Sequence, residues 1–422
     1  MRTPIENDDR VVITGIGMIT SIGGSRESVW QAMQRGECGV QRLANVPSIP
    51  DGLMLGATVD IEGDFPGQLK NIPLCRQTAA EALADARVFW GGIDRDRFGC
   101  SIGAHMGDTD YVVEKRGLQD QLIPPGKEPW WQQLLPNTAC SMVANDYDLR
   151  GPRLSNSTAC ASGTIAILKA VRSIRDGQCD IALAGSSEAI HPLFAAGFYN
   201  MGVLADHADP AQACRPFDVN RTGFVMGEGA GMFVLERLEH AQARGVPIYA
   251  EVLGGRILND ARHVTSLDAN SDALHELIRV TLRSSNLVPR DVAYVNAHGT
   301  GTKQNDLLES RGIRTAFGSA ANSVCVSANK AMLGHLVNAS GSVELAITAL
   351  ALRDGFAPPT LNLTDPDPEC DLDCVPLFGR EQALEHALKL SIAFGGHLAA
   401  IALRRWTGRE ARQTCALHRK AA

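Results

Sequence analysis

Short apolar runs alternate with amphipathic segments along most of the chain. Residues 10–17 form an apolar run typical of a buried strand, and residues 25–35 follow with apolar positions at helical spacing. Similar apolar runs predict strands at 180–185 and 229–236, and a helical stretch begins within 235–244. The alternation of strand and helix indicates an α/β protein.

A second series of the same kind begins near residue 250. The pattern predicts a helix over 271–285, a strand over 292–297 and closing strands at 388–393 and 399–404. Because the order of the first series is repeated, we expect two similar halves with a functional site at the seam between them. This divides the chain into residues 1–247, residues 248–408 and a polar tail of residues 409–422.

Composition narrows the classes of function. A chain of 422 residues that is 45% hydrophobic can bury a large core. The net charge of −7 argues against nucleic acid as a partner, since basic stretches interleaved with aromatics are missing from the sequence. No run approaches the roughly 18 apolar residues that span a bilayer, and the first ten residues lack the apolar segment of a signal peptide. We therefore expect a cytoplasmic protein that does not enter the membrane.

The eleven cysteines are scattered along the sequence. They form no CxxC pair and no Cys/His group at metal-ligand spacing, which predicts free thiols in a reducing compartment and no metal site. Gly15 and Gly17 follow the first strand, but Thr20 stands where a dinucleotide fingerprint needs its third glycine. We expect no cofactor bound to the protein itself.

Cys160 is placed differently from the other cysteines. It lies in Ser157-Thr-Ala-Cys-Ala-Ser-Gly163, where an extended segment turns into a helix. Backbone N–H groups and the helix dipole stabilise a thiolate at such a turn, so we expect the Cys160 pKa to fall below the ordinary value of about 8.5. The small neighbours leave room for a bulky acyl group. A buried structural cysteine is the general alternative.

Two histidines far downstream complete the candidate chemistry. His298 lies in Asn-Ala-His-Gly-Thr-Gly-Thr and His335 in Met-Leu-Gly-His. Both turns are flanked by glycine, and turns at the ends of strands expose functional groups. We predict that both imidazoles meet the Cys160 sulfur, because one thiol with two imidazoles suits the formation and joining of acyl thioesters.

These motifs together resemble the elongating β-ketoacyl-[acyl carrier protein] synthases, the ketosynthase II type of the thiolase superfamily. The resemblance spans residues 10 to 406 and rests on Arg150-Gly-Pro and on residues 157–163, 215–231, 298–302, 330–335 and 394–396. His335 separates this class from relatives that use Cys-His-Asn or Cys-His-Cys. The resemblance implies a thiolase fold, in which two similar βαβαβαββ halves form a five-layered α-β-α-β-α core.

The resemblance also implies a reaction, a decarboxylating Claisen condensation of an acyl thioester with malonyl-acyl carrier protein. Cys160 would carry the acyl chain, while His298 and His335, as donors through Nε2–H, would assist decarboxylation and stabilise the enolate. The 4′-phosphopantetheine belongs to the carrier substrate. The implied partners are acyl carrier protein and a second subunit, identical in a homodimer or related in a heterodimer.

Other residues match the family at positions around the site, and their roles are implied by that match. These are Cys160 and Phe394 for the oxyanion and the gate, Thr300 and Thr302 for the pantetheine arm, Lys330 for the catalytic site, Glu344 as its ionic partner, and Met106, Trp131 and Leu134 for the acyl pocket.

The chain departs from many relatives near its end, where Leu390 and Leu398 replace two asparagines. In some relatives a cation is surrounded by the first of these positions, the position before it, an asparagine like Asn296 and a glutamate like Glu344. Lys389 occupies that preceding position here, so we predict a charge network in which its ammonium lies beside Glu344, because a buried carboxylate needs a positive partner. The departures make a specialised polyketide or polyene route an alternative to primary fatty acid synthesis.

Two other functions remain open from the sequence. The chain could be a chain-length partner subunit that does not elongate, although such partners typically lack the cysteine that Cys160 supplies here. It could also be an acyltransferase or thioesterase that uses the same thiol without forming a carbon–carbon bond.

Overall fold

The computed structural model describes residues 10–44, 54–61, 69–104, 135–266 and 271–408. The strands in these ranges are β1 Val11–Thr20, β2 Gln41–Arg42, β3 Leu55–Ala57, β4 Phe98–Gly103, β5 Arg153–Asn156, β6 Ile181–Glu188, β7 Met226–Gly227, β8 Gly229–Arg237, β9 Ala250–Asn259, β10 Tyr294–Asn296, β11 Cys325–Ser327, β12 Phe356–Ala357, β13 Arg380–Glu381, β14 His386–Ala393 and β15 His397–Arg405. The α-helices are α1 Arg26–Arg35, α2 Asn71–Asp85, α3 Thr138–Asp146, α4 Ser162–Arg175, α5 Pro192–Asn200, α6 Leu238–Arg244, α7 Ala273–Ser284, α8 Lys303–Phe317, α9 Lys330–Leu333 and α10 Ser340–Asp354.

Ten strands form one sheet in the order β11-β10-β14-β15-β9-β1-β8-β6-β4-β5. The order reads as two sets of five, β5-β4-β6-β8-β1 and β11-β10-β14-β15-β9, with the same parallel and antiparallel pairings in each set. The two sets join where residues Val11–Ile13 of β1 pair with Ala250–Val252 of β9. The repetition predicted from the sequence is therefore a repetition of topology.

Helices cover both faces of each set of strands. Helices α4 and α10 pack against each other and against strands of both sets, forming the central core. Helices α2 and α3 cover the other face of the first set, and α7 and α8 cover the other face of the second. The result is five layers, α-β-α-β-α, with apolar cores between them.

The local sequence accounts for most element boundaries. Every residue of β1 is buried, which agrees with its continuous apolar run, although the strand extends to Thr20. Helix α1 begins after Ser25, whose hydroxyl accepts the Ser28 N–H, and ends at Gly36 in the left-handed conformation. Within the predicted helical stretch of residues 235–244, α6 begins at Leu238, because β8 continues to Arg237.

Among the described residues, no helix combines the length and the apolar character that crossing a membrane requires. The predicted tail of residues 409–422 lies outside the described residues.

The central helices approach each other most closely at two glycines near their N-terminal ends. A Cβ atom at Gly163 of α4 would lie 2.6 Å from the backbone nitrogen of Ser342, and one at Gly341 of α10 would lie 2.6 Å from that of Thr164. These contacts involve backbone that cannot rotate away. Only glycine therefore fits at either position without moving a helix.

We predict that Gly341→Ala lowers the free energy of unfolding by about 1–3 kcal/mol, because the added methyl group overpacks the contact between α4 and α10. Urea denaturation followed by circular dichroism measures the change. Gly197→Ala on α5 is the control, since a Cβ there would meet no atom within 4 Å. It should be neutral or stabilising by up to about 1 kcal/mol. Equal effects of the two substitutions would contradict the close-contact explanation.

Candidate active site

Cys160, His298 and His335 line one cavity of about 470 Å³. The Cys160 sulfur and one ring nitrogen of each histidine lie within 4.8 Å of one another. The two imidazole rings are 5.2 Å apart between centroids and nearly perpendicular. All three residues are buried, with Cys160 8% exposed. The structure thus brings together three side chains that the sequence places far apart.

A strained turn presents Cys160 to the cavity. The chain leaves β5, forms a short 3-10 turn over Ala159–Ala161 and enters α4 at Ser162. Ala159 has a φ of 45°, in the left-handed region that residues with a Cβ rarely adopt. The Ser162 hydroxyl accepts the Thr158 N–H at 2.9 Å and donates to Asn338 Oδ1 at 2.6 Å. These bonds hold the turn against the segment that precedes α10.

The thiol differs from the sequence prediction in its acidity. Burial raises the pKa of Cys160 to about 12, while the Lys330 ammonium and the backbone N–H of Cys160 itself act in the opposite direction. The predicted lowering by the helix N-terminus was therefore wrong. Burial costs the thiolate more hydration than its nearby charges restore.

His298 lies on a loop that two buried carboxylates hold in place. Glu309 accepts the N–H groups of His298 and Gly299 at 2.6 and 2.5 Å, and Asp306 accepts the Thr300 N–H at 3.1 Å. Burial raises the pKa of Glu309 to about 7, although those hydrogen bonds act to lower it. The sequence analysis missed both carboxylates. Their spacing of three residues on α8, directly after the His298 loop, is the signal that places them on one face.

The hydrogen bonds of His298 assign its tautomer. Lys330 Nζ lies 3.3 Å from His298 Nδ1 and also donates to the His298 carbonyl oxygen. An ammonium can only donate, so Nδ1 is the acceptor and the ring proton is on Nε2. His298 is therefore arranged to donate a hydrogen bond from Nε2.

His335 has the same arrangement from different donors. The backbone N–H of Val337 donates to His335 Nδ1 at 3.1 Å, and the Ser340 hydroxyl lies 2.9 Å from the same atom. Val337 has a φ of 38°, a costly conformation for a β-branched residue, and this turn directs its N–H toward the ring. Backbone hydrogen bonds to Val225 and Gly227 hold the residue itself. The Nε2 proton of His335 is thus also free to be donated.

Both imidazoles are neutral at physiological pH. Burial, followed by the Lys330 ammonium, holds the pKa of His298 well below its ordinary value. Burial, Lys330 and Lys389 do the same for His335. The site therefore offers two neutral N–H donors beside a protonated sulfur.

Two lysines share the Glu344 carboxylate behind the histidines. Lys330 Nζ lies 2.5 Å from Oε1 and Lys389 Nζ lies 2.7 Å from Oε2. Both lysines are 0% exposed and Glu344 is 1% exposed. The Lys389 ammonium thus lies where the sequence analysis expected it, beside the buried carboxylate.

Cys160, His298 and His335 are also close enough to be considered as metal ligands. Metal binding at Nε2 would require that nitrogen to lose its proton and Nδ1 to gain one. Nδ1 of His298 faces the Lys330 ammonium and Nδ1 of His335 faces the Val337 N–H, and both of these can only donate. Two lysines nearby add positive charge. The donor set therefore fits a neutral substrate carbonyl better than a metal ion.

The other predicted site residues fall into two groups. Phe394, Thr300 and Thr302 line the cavity, and the two threonine hydroxyls lie 2.9 Å apart. Met106, Trp131 and Leu134 lie outside the described residues.

Phe394 follows β14 directly and lies on a loop attached to a second loop. Gly395 donates its N–H to Val264 O at 2.6 Å, and Asn259 Nδ2 donates to Gly395 O at 2.9 Å. Leu390 and Leu398 lie in the apolar cluster between the sheet and helices α7 and α8. Their side chains therefore belong to an outer core.

Known proteins match both halves of the chain. Residues 70–241 match the family profile "Beta-ketoacyl synthase, N-terminal domain", and residues 249–364 match "Beta-ketoacyl synthase, C-terminal domain". The 3-oxoacyl-[acyl-carrier-protein] synthase 2 of Coxiella burnetii is 37% identical over 410 residues, 94% of this chain and 98% of that protein. The protein of the same name from Synechocystis sp. is 35% identical over 410 residues, with the same coverage.

Solved structures agree with these matches. A type II PKS acyl-carrier protein in complex with its ketosynthase bound to the hexaketide gives a TM-score of 0.87 at 31% identity, covering 94% of this chain and 99% of that chain. The ishigamide ketosynthase/chain length factor gives a TM-score of 0.85 at 30% identity with the same coverage. The predicted α/β thiolase fold is confirmed. By sequence and by fold, the chain belongs to the β-ketoacyl synthase family.

Proposed function

We propose that this protein condenses an acyl thioester with malonyl-acyl carrier protein, releasing carbon dioxide and forming a 3-oxoacyl-acyl carrier protein during fatty acid or polyketide elongation. One observation carries the proposal. A single cavity holds the Cys160 sulfur together with two neutral imidazoles, His298 and His335, whose Nδ1 atoms are occupied and whose Nε2 protons are available.

In the first step, Cys160 attacks the acyl thioester of a phosphopantetheine arm. The acyl group moves to the cysteine sulfur, and the arm leaves as a thiol that takes up the proton released by Cys160. The raised pKa keeps the Cys160 thiol protonated, so its proton has to leave as the sulfur forms its bond to the acyl carbon. The Lys330 ammonium then supports the developing negative charge.

In the second step, a malonyl thioester enters and loses its carboxylate as carbon dioxide. The electron pair left on carbon is delocalised onto the thioester oxygen, where His298 and His335 donate hydrogen bonds to the enolate. Neutral donors suit this role, since they stabilise the oxyanion without giving up a proton and quenching the carbanion.

In the third step, the enolate carbon attacks the acyl carbonyl and Cys160 leaves as a thiolate, which takes up a proton. The backbone N–H groups of Cys160 and Phe394 are the proposed donors to the tetrahedral oxyanion. Phe394 is also the proposed gate, because its loop is attached through hydrogen bonds to the loop containing Val264.

The same site bears on the proposed carrier-protein substrate and on the proposed partner subunit. Thr300 and Thr302 on the cavity wall are the proposed hydrogen-bond partners of the pantetheine arm. We propose acyl carrier protein as the partner and a second ketosynthase-type subunit, identical or related, as the assembly. The free cysteines among the described residues support a reducing compartment, the cytoplasm.

Cys160→Ser should abolish formation of an acyl adduct when the protein is mixed with acyl-acyl carrier protein, since the adduct forms on this sulfur. Intact-protein mass spectrometry measures the mass increase. Cys38→Ser is the matched control and should acylate as the unaltered protein does. Failure of the unaltered protein to acylate would instead support a chain-length partner that does not elongate.

His335→Ala should lower carbon dioxide release from malonyl-acyl carrier protein by about 10²–10³-fold, the cost of removing one donor to a developing oxyanion. Acylation of Cys160 should remain, because the substitution leaves the thiol in place. Release of labelled carbon dioxide measures the first step and mass spectrometry measures the second. If the unaltered protein hydrolyses the acyl thioester but does not decarboxylate malonyl-acyl carrier protein, the result would favour a thioesterase function.

Alkylation of Cys160 by iodoacetamide should accelerate about tenfold per pH unit and should still be rising at pH 9.5, because the reactive thiolate increases toward a pKa of about 12. Peptide mass spectrometry at a series of pH values gives the rates. A small-molecule thiol treated in parallel should level off earlier. A plateau for Cys160 below pH 8 would mean that the thiolate already exists in the resting site.

A further inference from the structure

Lys389 is a buried lysine within an apolar strand. Its neighbours Leu388 and Leu390 face the outer core beside α7 and α8. Ala387 packs in the central core, and the Ser391 hydroxyl lies 2.7 Å from that of Thr164 on α4. The alternation of strand side chains therefore directs Lys389 toward the central helices, where Glu344 lies. A lysine is almost never fully buried unless it is paired with an opposite charge. The question is therefore what the contact between Lys389 and Glu344 does.

Two buried lysines lie against one carboxylate beside the active site. Lys330 and Lys389 share one carboxylate, Glu344, with one ammonium at each oxygen. Burial lowers the pKa of Lys389, and the Glu344 carboxylate opposes that change. A single lysine would be enough to neutralise Glu344. The charge of Lys389 also acts on Glu309, but its direct contact is with Glu344 Oε2, which gives it a role in the geometry of that carboxylate.

The geometry indicates that function. Because Lys389 occupies Oε2, Glu344 contacts Lys330 through Oε1 alone. Lys330 then lies between Oε1 and the carbonyl oxygen and Nδ1 of His298. If Oε2 lacked a cation, the carboxylate could turn both oxygens toward Lys330 and draw its ammonium away from His298. The Nε2–H tautomer of His298 depends on that ammonium.

We propose that Lys389 is a positioning residue whose ammonium acts as a built-in cation, holding Glu344 so that Lys330 fixes His298 as an Nε2–H donor for decarboxylation. The proposal rests on the proposed function and adds a residue that does not touch the substrate. The charge network of Lys330, Glu344 and Lys389 is then complete within the chain and needs no added ion.

Two oxygen atoms lie beside the Lys389 ammonium. Glu344 Oε2 lies 2.7 Å away, and the carbonyl oxygen of Leu390 accepts from the ammonium. Asn296 pairs with Lys389 across β10 and β14, and its Oδ1 is buried without a hydrogen-bond partner. If the lysine side chain were truncated, Glu344 Oε2 and the Leu390 carbonyl oxygen would face the vacated space, and oxygen atoms are the ligands that small hard cations prefer.

The test compares Lys389→Ala with Lys389→Met in the full-length protein. Alanine leaves the space open, whereas methionine removes the charge and fills most of the volume. We expect the kcat for decarboxylation of malonyl-acyl carrier protein to fall about 10- to 100-fold in both, the range found when groups that orient catalytic ligands are removed. The KM should change little, because Lys389 lies behind the histidines and away from the cavity wall.

Rescue separates positioning from a general structural role. Potassium or methylammonium ions should restore much of the decarboxylation in Lys389→Ala and none in Lys389→Met, and should leave the unaltered protein unaffected. Acylation of Cys160, followed by mass spectrometry, should persist in both variants and shows that they fold.

Three results would overturn the proposal. They are a Lys389→Ala variant that decarboxylates as fast as the unaltered protein, a loss that no cation restores in Lys389→Ala, and potassium dependence of the unaltered protein. Potassium dependence is measured on the unaltered protein, so this test remains valid even if both variants misfold. An unaltered protein that releases no carbon dioxide from malonyl-acyl carrier protein would contradict the proposed function instead, which keeps the two failures distinct.

Discussion

The contact between the N-terminal turns of α4 and α10 determines where the chemistry lies. Cys160 lies two residues before the start of α4 and His335 lies five residues before the start of α10, so bringing the two helix ends together brings the sulfur and the imidazole together. Gly163 and Gly341 permit that approach because neither has a side chain to separate the backbones. Because the two halves have the same topology, the Cys160 sulfur of the first half and the His335 imidazole of the second lie at the same point.

The site resolves a conflict between burial and charge. A dry cavity protects an enolate from water, yet it opposes every ionised group placed in it. Here the sulfur is protonated and both histidines are neutral, whereas the ionic groups are withdrawn behind the rings. Lys330 fixes the tautomer of His298 and acts electrostatically on Cys160, while Glu344 and Lys389 lie behind it.

Two strained turns lie at the same place. Ala159 and Val337 both have positive φ angles, and each lies beside a reactive residue, Cys160 or His335. One turn presents the sulfur, and the other directs a backbone N–H at an imidazole nitrogen. Strain of this kind persists only where the surrounding packing enforces it, and the buried helix pair supplies that packing.

The sequence alone determined the alternation of strands and helices, the internal repeat and the three residues that meet in the cavity. Local patterns suffice for these, because hydrophobic periodicity and glycine-flanked turns depend on neighbouring residues. It also placed Lys389 beside Glu344 through the resemblance to a known family. It did not find Asp306 and Glu309, whose importance depends on the loop that folds over them.

Only the tertiary structure decided the protonation of the site. The helix N-terminus visible in the sequence predicts an acidic thiol, but the pKa of Cys160 responds to its burial beneath segments far along the chain, including His298, His335 and Phe394. The Nε2–H tautomers likewise follow from Lys330 and Val337, which reach the rings only in the folded protein. Desolvation and hydrogen-bond direction are properties of the assembled interior, so no local pattern encodes them.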